Sequence, residues 1–397
     1  MSTRVAALAP DSAAERYRVI FAGVCALILT VGLARFAYTP LLPIMRTEAG
    51  LSYLAGGWLA TFNYMGYITG ALIAASISDL GRKYQLYRIG LVVALASTAA
   101  MGMTTDLTLW VVLRFISGLS STAGLLLASG LVLNWLMRQG HRPELGLHFT
   151  GLGLGIVVSG LAVAAMVGHL PWNLQWIGLG LLGIAFFLPA WWWLPAPARG
   201  RSGAVLESDR KPSRRWMWLL MGAYFCGGFG YVISATFIVS ILEKIPMLTG
   251  QGGWIWVIVG LAAAPSCFLW DRVAGALGQI PALILAYGLQ ALSILLPVVT
   301  EHSALNLFSA MLYGGTFVGI VSLTLSLVGR CFPENPAKAM ARLTLSYGVA
   351  QILAPAMAGY IAAMTGSYRG SLIVAAGVMA VGMLLLVLLE RYEELEP

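Results

Sequence analysis

Twelve stretches of about 20 or more mostly apolar residues follow one another along this 397-residue chain, each long enough to cross a hydrocarbon layer roughly 30 Å thick as a helix. Within lipid every backbone N–H and C=O must find its partner inside the segment or in a closed barrel, and single runs of this length meet that demand only as helices. The balance of 59% apolar against 10% charged residues, where a soluble chain has about 25% charged, points the same way. An all-α membrane protein is expected, with no stretch left over for a soluble catalytic domain.

Gly, Pro and charge clusters punctuate the runs and predict helices near 19–42, 53–78, 86–104, 108–137, 145–168 and 172–194, then 216–242, 252–270, 279–299, 303–329, 338–364 and 370–389. Between the two sets, 195–215 is polar and rich in Pro, Arg and Ser, as a linker is. This predicts a six-helix bundle over 1–194 and a second over 216–397. Arg16 and Arg18 before the first run resemble a signal peptide, but eleven later spans and no cleavage site before Arg35 predict a retained helix. With the N-terminus inside, all but five of the 24 Lys and Arg fall in inner segments; Arg46, Lys244 and Arg369 lie outside, and Arg35 and Arg114 fall within helices. Both termini are therefore expected in the cytoplasm of a cell whose inner membrane holds the protein, and the +8 charge addresses anionic lipid, not nucleic acid. Cys25, Cys226, Cys267 and Cys331 sit on separate runs without metal-ligand spacing, so no metal or cofactor is expected.

The halves repeat. Gly151, Gly155, Ile156, Ser159 and Gly160 in the fifth run are matched 199 residues later by Ala350, Ala354, Pro355, Ala358 and Gly359 in the eleventh. Small residues at this spacing let helices approach closely, and parallel repeats of six helices suggest two bundles around a cavity. The loop Ser78-Asp79-Leu80-Gly81-Arg82-Lys83, the RxxxG spacing of Arg114 and Gly118, the Gly155–Gly160 stretch and a weaker echo at Asp271-Arg272 with Gly275 together resemble the major facilitator superfamily over the whole chain. Two segments, Gly32 to Pro43 and Gly228 to Phe237, look like its YbfB/YjiJ-type branch. The resemblance implies twelve transmembrane helices as two six-helix bundles, transport by alternating access, and roles in coupling or gating for Asp79, Arg82, Asp271, Gly155, Gly160, Pro355 and Gly359. The glycines of the fifth run resemble those of exporters and lean the expectation toward efflux.

Charges inside the membrane are the best markers of function, because each costs roughly 2.5–3.5 kcal/mol on insertion scales unless it meets water, a partner or a ligand. Arg35 and Arg114 lie at matching depth, and in the resembled fold both of their helices line the central cavity. Guanidinium forks suit carboxylate or phosphate, so the pair is expected to bind an anionic solute. The alternative is that each is held by helix carbonyls, tyrosines or Asp106. Tyr38, three residues from Arg35, is expected beside it. Asn63, Tyr64, Tyr67, Tyr224, Tyr231, Tyr313, Tyr347 and Gln351 are the other polar groups in otherwise apolar runs and complete the candidate site. Tyrosines in such runs also serve as packing or interfacial anchors. No Asp or Glu falls inside a predicted span; Asp106 at the outer start of the fourth and His148, one turn into the fifth, are the remaining candidates for coupling or gating.

The expected function is therefore monomeric secondary transport of a small anionic or amphipathic organic solute. A proton-coupled multidrug exporter of hydrophobic compounds is the alternative, and a membrane-embedded enzyme or non-transporting receptor the second. None of Lys83, Lys211, Lys244 and Lys338 follows a glycine as a phosphate-binding loop requires, and His141, His148, His169 and His302 are dispersed, which disfavours an ATP-driven pump and an enzyme.

Overall fold

A computed structural model describes residues 10–141, 145–197, 213–331 and 336–395. Most of the expected linker, including Arg199, Arg201, Arg210 and Lys211, lies outside the described residues, as do Arg4 and Arg142. The described residues form α1 (Ala13–Glu48), α2 (Tyr53–Ser76), α3 (Leu80–Met103), α4 (Leu107–Arg138), α5 (Gly146–Met166) and α6 (Trp172–Trp193). Then come α7 (Arg214–Leu242), α8 in two pieces (Gly252–Ala263 and Ser266–Leu277), α9 (Gln279–Val299), α10 (Ser303–Cys331), α11 (Pro336–Thr365) and α12 (Arg369–Leu395). Several helices outrun the lengths read from hydropathy. α1 begins six residues early and continues past the expected end at 42, because charged and proline-containing turns still form helix once they project beyond the apolar layer.

Ten of these helices are long and apolar enough to cross a bilayer, and the two pieces of α8, bent by 42°, make an eleventh. Pro265 sits between those pieces, where its missing N–H and bulky ring break the helix. The bend does not turn the chain back: Lys244 before α8 and Thr300 after α9 line one cavity, so α8 and α9 together leave that face and return to it. α2 has the length of a span but carries Thr61, Asn63, Tyr64 and Tyr67, which leave it outside those ten. It nonetheless crosses, since Tyr53 at its start meets Lys244 and Gly366, on the face opposite the α2–α3 turn. We name the face at which α1 begins proximal and the other distal.

Burial repeats with the sequence. The apolar stretch of α1 is 94% buried and that of α7 89%, α4 and α10 come next at 67% and 61%, while α3, α6, α9 and α12 stay near 33–39%. Helices six apart thus occupy equivalent layers, with α1 and α7 innermost. Two long seams join the first six helices to the last six: α5 lies along α8, and α2 along α11. Glycine makes both possible. A Cβ on Gly160 would sit 2.7 Å from the Gly253 carbonyl, and one on Gly57 would collide with the Pro355 carbonyl and lie 2.9 Å from Gly359 Cα. Gly155 faces the other way, where an added Cβ would sit 2.9 Å from Gly32 Cα of α1, so in this conformation it packs within the first six helices.

The distal ends are drawn together. Thr39 donates to the Ala235 carbonyl, Tyr53 donates to the Gly366 carbonyl at 3.2 Å, and Lys244 Nζ donates to Tyr53 at 3.2 Å and to Gly366 O at 3.1 Å. Deeper in, Thr61 donates to the Ile352 carbonyl at 2.8 Å.

Candidate functional site

The middle of α1 is not an α-helix. Ile28–Phe36 is wound as a π-helix, with Ala37 N–H bonded to Gly32 O at 2.9 Å. Pro40 supplies the cause: it has no N–H to offer, and its ring crowds the carbonyl four residues back, so the helix widens just before it. The widened turn leaves the carbonyls of Ala34 and Arg35 open to side-chain donors, and α4 fills them. Arg114 Nη1 lies 3.3 Å from Ala34 O and 3.5 Å from Arg35 O, and Ser117 Oγ donates to Ala34 O at 2.6 Å. Asn63 closes the arrangement from α2, its Nδ2 donating to Arg114 O at 2.9 Å and to Ser117 Oγ at 3.2 Å. The Tyr38 ring stacks on the Arg114 guanidinium at 4.3 Å, and its hydroxyl bonds Gly56 O at 2.9 Å.

Tyr38 therefore serves Arg114 and not Arg35, because the π turn rotates it away from the neighbour that ordinary helical spacing assigns. Arg114 itself is tied to carbonyls, as the alternative reading of the sequence had it. Asp106 has no part in this. It lies exposed at the distal surface, where it caps α4 by accepting from Leu109 N at 2.9 Å.

Arg35 is held differently. It is buried, its guanidinium stands over the rings of Tyr64 at 4.6 Å and Tyr67 at 4.5 Å, and Phe36 closes at 5.5 Å. Its Nε has no hydrogen-bond partner, and among the described residues no carboxylate pairs with it. The two arginines are near enough to interact electrostatically, so the first six helices present concentrated positive charge here.

Across from this cage, α7, α10 and α11 build an aromatic wall. Tyr231 stacks on Phe317 at 5.4 Å and on Tyr347 at 5.7 Å. Tyr347 meets Tyr224 at 4.5 Å, and Tyr313 stacks on Phe317 at 5.2 Å while its hydroxyl reaches Tyr231 O at 3.3 Å. Wall and cage touch: Tyr231 lies by Arg35 and Tyr64, and Tyr224 by Tyr67. Gln351, one turn beyond Tyr347, is buried with Oε1 unpartnered, and Asn63 Oδ1 is likewise unpartnered. Phe317 was missed by a search for polar groups, although it lies four residues from Tyr313 on one helix face.

The remaining candidates lie elsewhere. His148 is buried between α1, α4 and α5, its Nε2 2.8 Å from Ser129 Oγ and its ring against Gly23, apart from the arginine cluster. Asp79 caps α3 by accepting from Arg82 N at 2.7 Å, and both residues are exposed at the proximal surface. Asp271 is exposed on the second piece of α8, inside a helix that hydropathy had ended at 270. These carboxylates do in this conformation what helix caps and surface charges do; none reaches the cage.

The carboxylate that sequence reading overlooked is Glu243. It follows α7 and turns back so that Oε1 accepts from Gly252 N at 2.7 Å, fastening the start of α8. Partial burial there pushes its carboxyl up to about 7, against the lowering effect of that N–H. The distal latch of Tyr53, Lys244 and Gly366, joined by Arg46 over the Tyr53 ring at 3.2 Å, was also missed, since turn residues give no periodic signal.

A family model described as the uncharacterised MFS-type transporter YbfB matches residues 27–387. The chain belongs to that family. Within the wider superfamily it is similar to the gallate transporter of Pseudomonas putida, at 29% identity over 195 residues, which is 48% of this chain and 42% of that protein. It is 25% identical to the MFS-type transporter YceJ of Bacillus subtilis over 365 residues, 87% of this chain and 84% of the relative. The crystal structure of a point mutant of the nucleoside transporter NupG superposes with a TM-score of 0.75 at 13% identity, covering 94% of this chain and 99% of the other, and shares the fold. This YbfB-type protein is thus a multi-pass membrane transporter of the major facilitator fold.

Proposed function

We propose that this transporter carries a small organic anion with a flat, apolar body, such as an aromatic carboxylate, by alternating access. The observation that carries the proposal is Arg35: a buried cation without a carboxylate partner, between two tyrosine rings, facing a wall of four tyrosines and a phenylalanine. A carboxylate would supply the missing charge, and an aromatic body would stack on Tyr231, Phe317 or Tyr347 in the offset geometry such rings prefer. Gallate, the solute named for the P. putida relative, is a carboxylate on an aromatic ring, and the likeness supports the same class.

In this reading residues 1–194 and 216–397 move as two bundles joined by 195–215, sliding on the glycine seams α5–α8 and α2–α11. Arg16, Arg18, Arg82, Lys83 and Arg88 on the proximal face make that face cytoplasmic by the positive-inside rule, and the glycine pattern of α5 leans slightly toward export. Purified protein in proteoliposomes is expected to give saturable flux of benzoate and none of benzamide, which keeps the ring and removes the charge. Equal handling of the two would refute the anion assignment, and transport confined to hydrophobic cations would replace it with the multidrug alternative.

A further inference from the structure

A cavity of about 300 Å³ opens on the distal face among the α7–α8, α9–α10 and α11–α12 turns, outside the arginine cage. Its walls are apolar where Ile241, Pro297 and Leu372 contribute, and its polar side is lopsided in charge, with Lys244 and Arg369 against the single carboxylate of Glu301. Asn306 is fully buried on this wall. Its Nδ2 ties the α9–α10 turn by donating to Thr300 O at 2.9 Å and His302 O at 3.1 Å, which leaves Oδ1 with no partner. Two cations and an apolar wall match one kind of ligand, a small organic carboxylate. A volume near 300 Å³ is at the lower end of small-molecule sites.

Lys244 belongs to two structures at once. It lines this cavity, and its Nζ is also the latch donor to Tyr53 and Gly366 that holds the distal ends closed. We propose that the cavity is a vestibule binding site for the carried carboxylate, and that a bound carboxylate takes Lys244 from Tyr53, so that occupancy at the distal mouth loosens the latch. The proposal rests on the anion assignment for the central site and adds a second place where the same chemistry is recognised. Arg369 supplies the second positive charge. Glu301, on the same rim, selects against ligands that carry more than one negative charge.

Calorimetric titration of the purified full chain with 4-hydroxybenzoate, and with 4-hydroxybenzamide as the neutral control, tests this. Two bound carboxylates per wild-type chain are expected, with one remaining in Arg369→Gln and one in Arg35→Gln, and none of the amide in any of them. Tyr53→Phe deprives Lys244 of its hydroxyl partner and is expected to tighten the vestibule site about fivefold, the net worth of one hydrogen bond. One carboxylate per wild-type chain, lost in Arg35→Gln and retained in Arg369→Gln, would overturn the vestibule while leaving the central site standing. One carboxylate lost in Arg369→Gln and retained in Arg35→Gln would uphold the vestibule and refute the central assignment. Absence of any binding would overturn both.

Discussion

Replacing Arg35 by Gln separates a solute-binding arginine from a structural one, because the two roles predict opposite effects on stability. The guanidinium gains about 2 kcal/mol from each desolvated cation–π contact with Tyr64 and Tyr67. Against that stands the several kcal/mol needed to take a cation out of water, with no carboxylate among the described residues to offset it. The two sides nearly cancel, so Arg35→Gln should leave the unfolding midpoint of the purified protein within a few degrees of wild type. No buried anion is stranded by the change, which removes the usual penalty for breaking a charged pair. Solute binding behaves otherwise. Losing one partner of a buried charge pair costs about 2–5 kcal/mol, or roughly 30-fold to a few thousandfold in affinity. Uptake of benzoate into proteoliposomes, with thermal unfolding followed on the same preparation, gives both numbers. A KM within threefold of wild type would refute the assignment of Arg35 to the solute. A collapse of the midpoint would refute it too, by marking Arg35 as part of the scaffold; Arg35→Lys, which keeps the charge without the fork, should fall between the variants.

Arg114→Gln should show the reverse pattern, losing about 2–3 kcal/mol of stability as the Arg35 carbonyl loses its donor and the Tyr38 stack disappears; an unchanged unfolding midpoint would contradict this. Gly57→Val places a side chain against the Pro355 carbonyl on the α2–α11 seam, so flux should fall at least about tenfold while benzoate binding survives, since overpacking typically costs about 1–3 kcal/mol and here opposes only the closed state. Glu243 gives a pH dependence with a defined sign. Its carboxyl is raised from 4.5 to about 7 in this distal-closed conformation. The stability this group contributes to the folded protein is therefore fully present below about 4.5, is lost as pH rises toward 7, and changes no further above it. Thermal midpoints between about pH 5 and 8 should fall in wild type and stay level in Glu243→Gln; parallel curves would refute the role.

The layout of spans was legible because the bilayer turns length and hydropathy into a strict requirement, and runs of Leu, Ile, Val, Ala and Gly meet it without regard to neighbours. α2 is the instructive exception: as a span it was read from its boundaries, yet Asn63, Tyr64 and Tyr67 keep it out of the ten strongly apolar helices because it faces the site. The candidate cluster was legible in membership, since a polar group inside an apolar run stands out. Arg35, Tyr64, Tyr67, Tyr224, Tyr231, Tyr313 and Tyr347 do gather in one place. Their division of labour was not legible. Tyr38 and Arg114 left the expected pair because Pro40 widens α1, and a π turn breaks the periodicity from which face assignments are read.

Sequence alone determined that this chain spans a membrane many times, that its halves repeat, and that two cations lie where a membrane protein rarely tolerates them. These follow from one-dimensional quantities: run length, residue type and spacing. Only the tertiary structure decided that Arg114 is tied to the α1 backbone while Arg35 is left without a counter-ion, that Gly155 packs inward and Gly160 across the seam, and that Lys244, Tyr53 and Gly366 close the distal face. Each depends on which carbonyl or ring from a distant helix comes within about 3–5 Å, a matter of packing that local spacing does not encode.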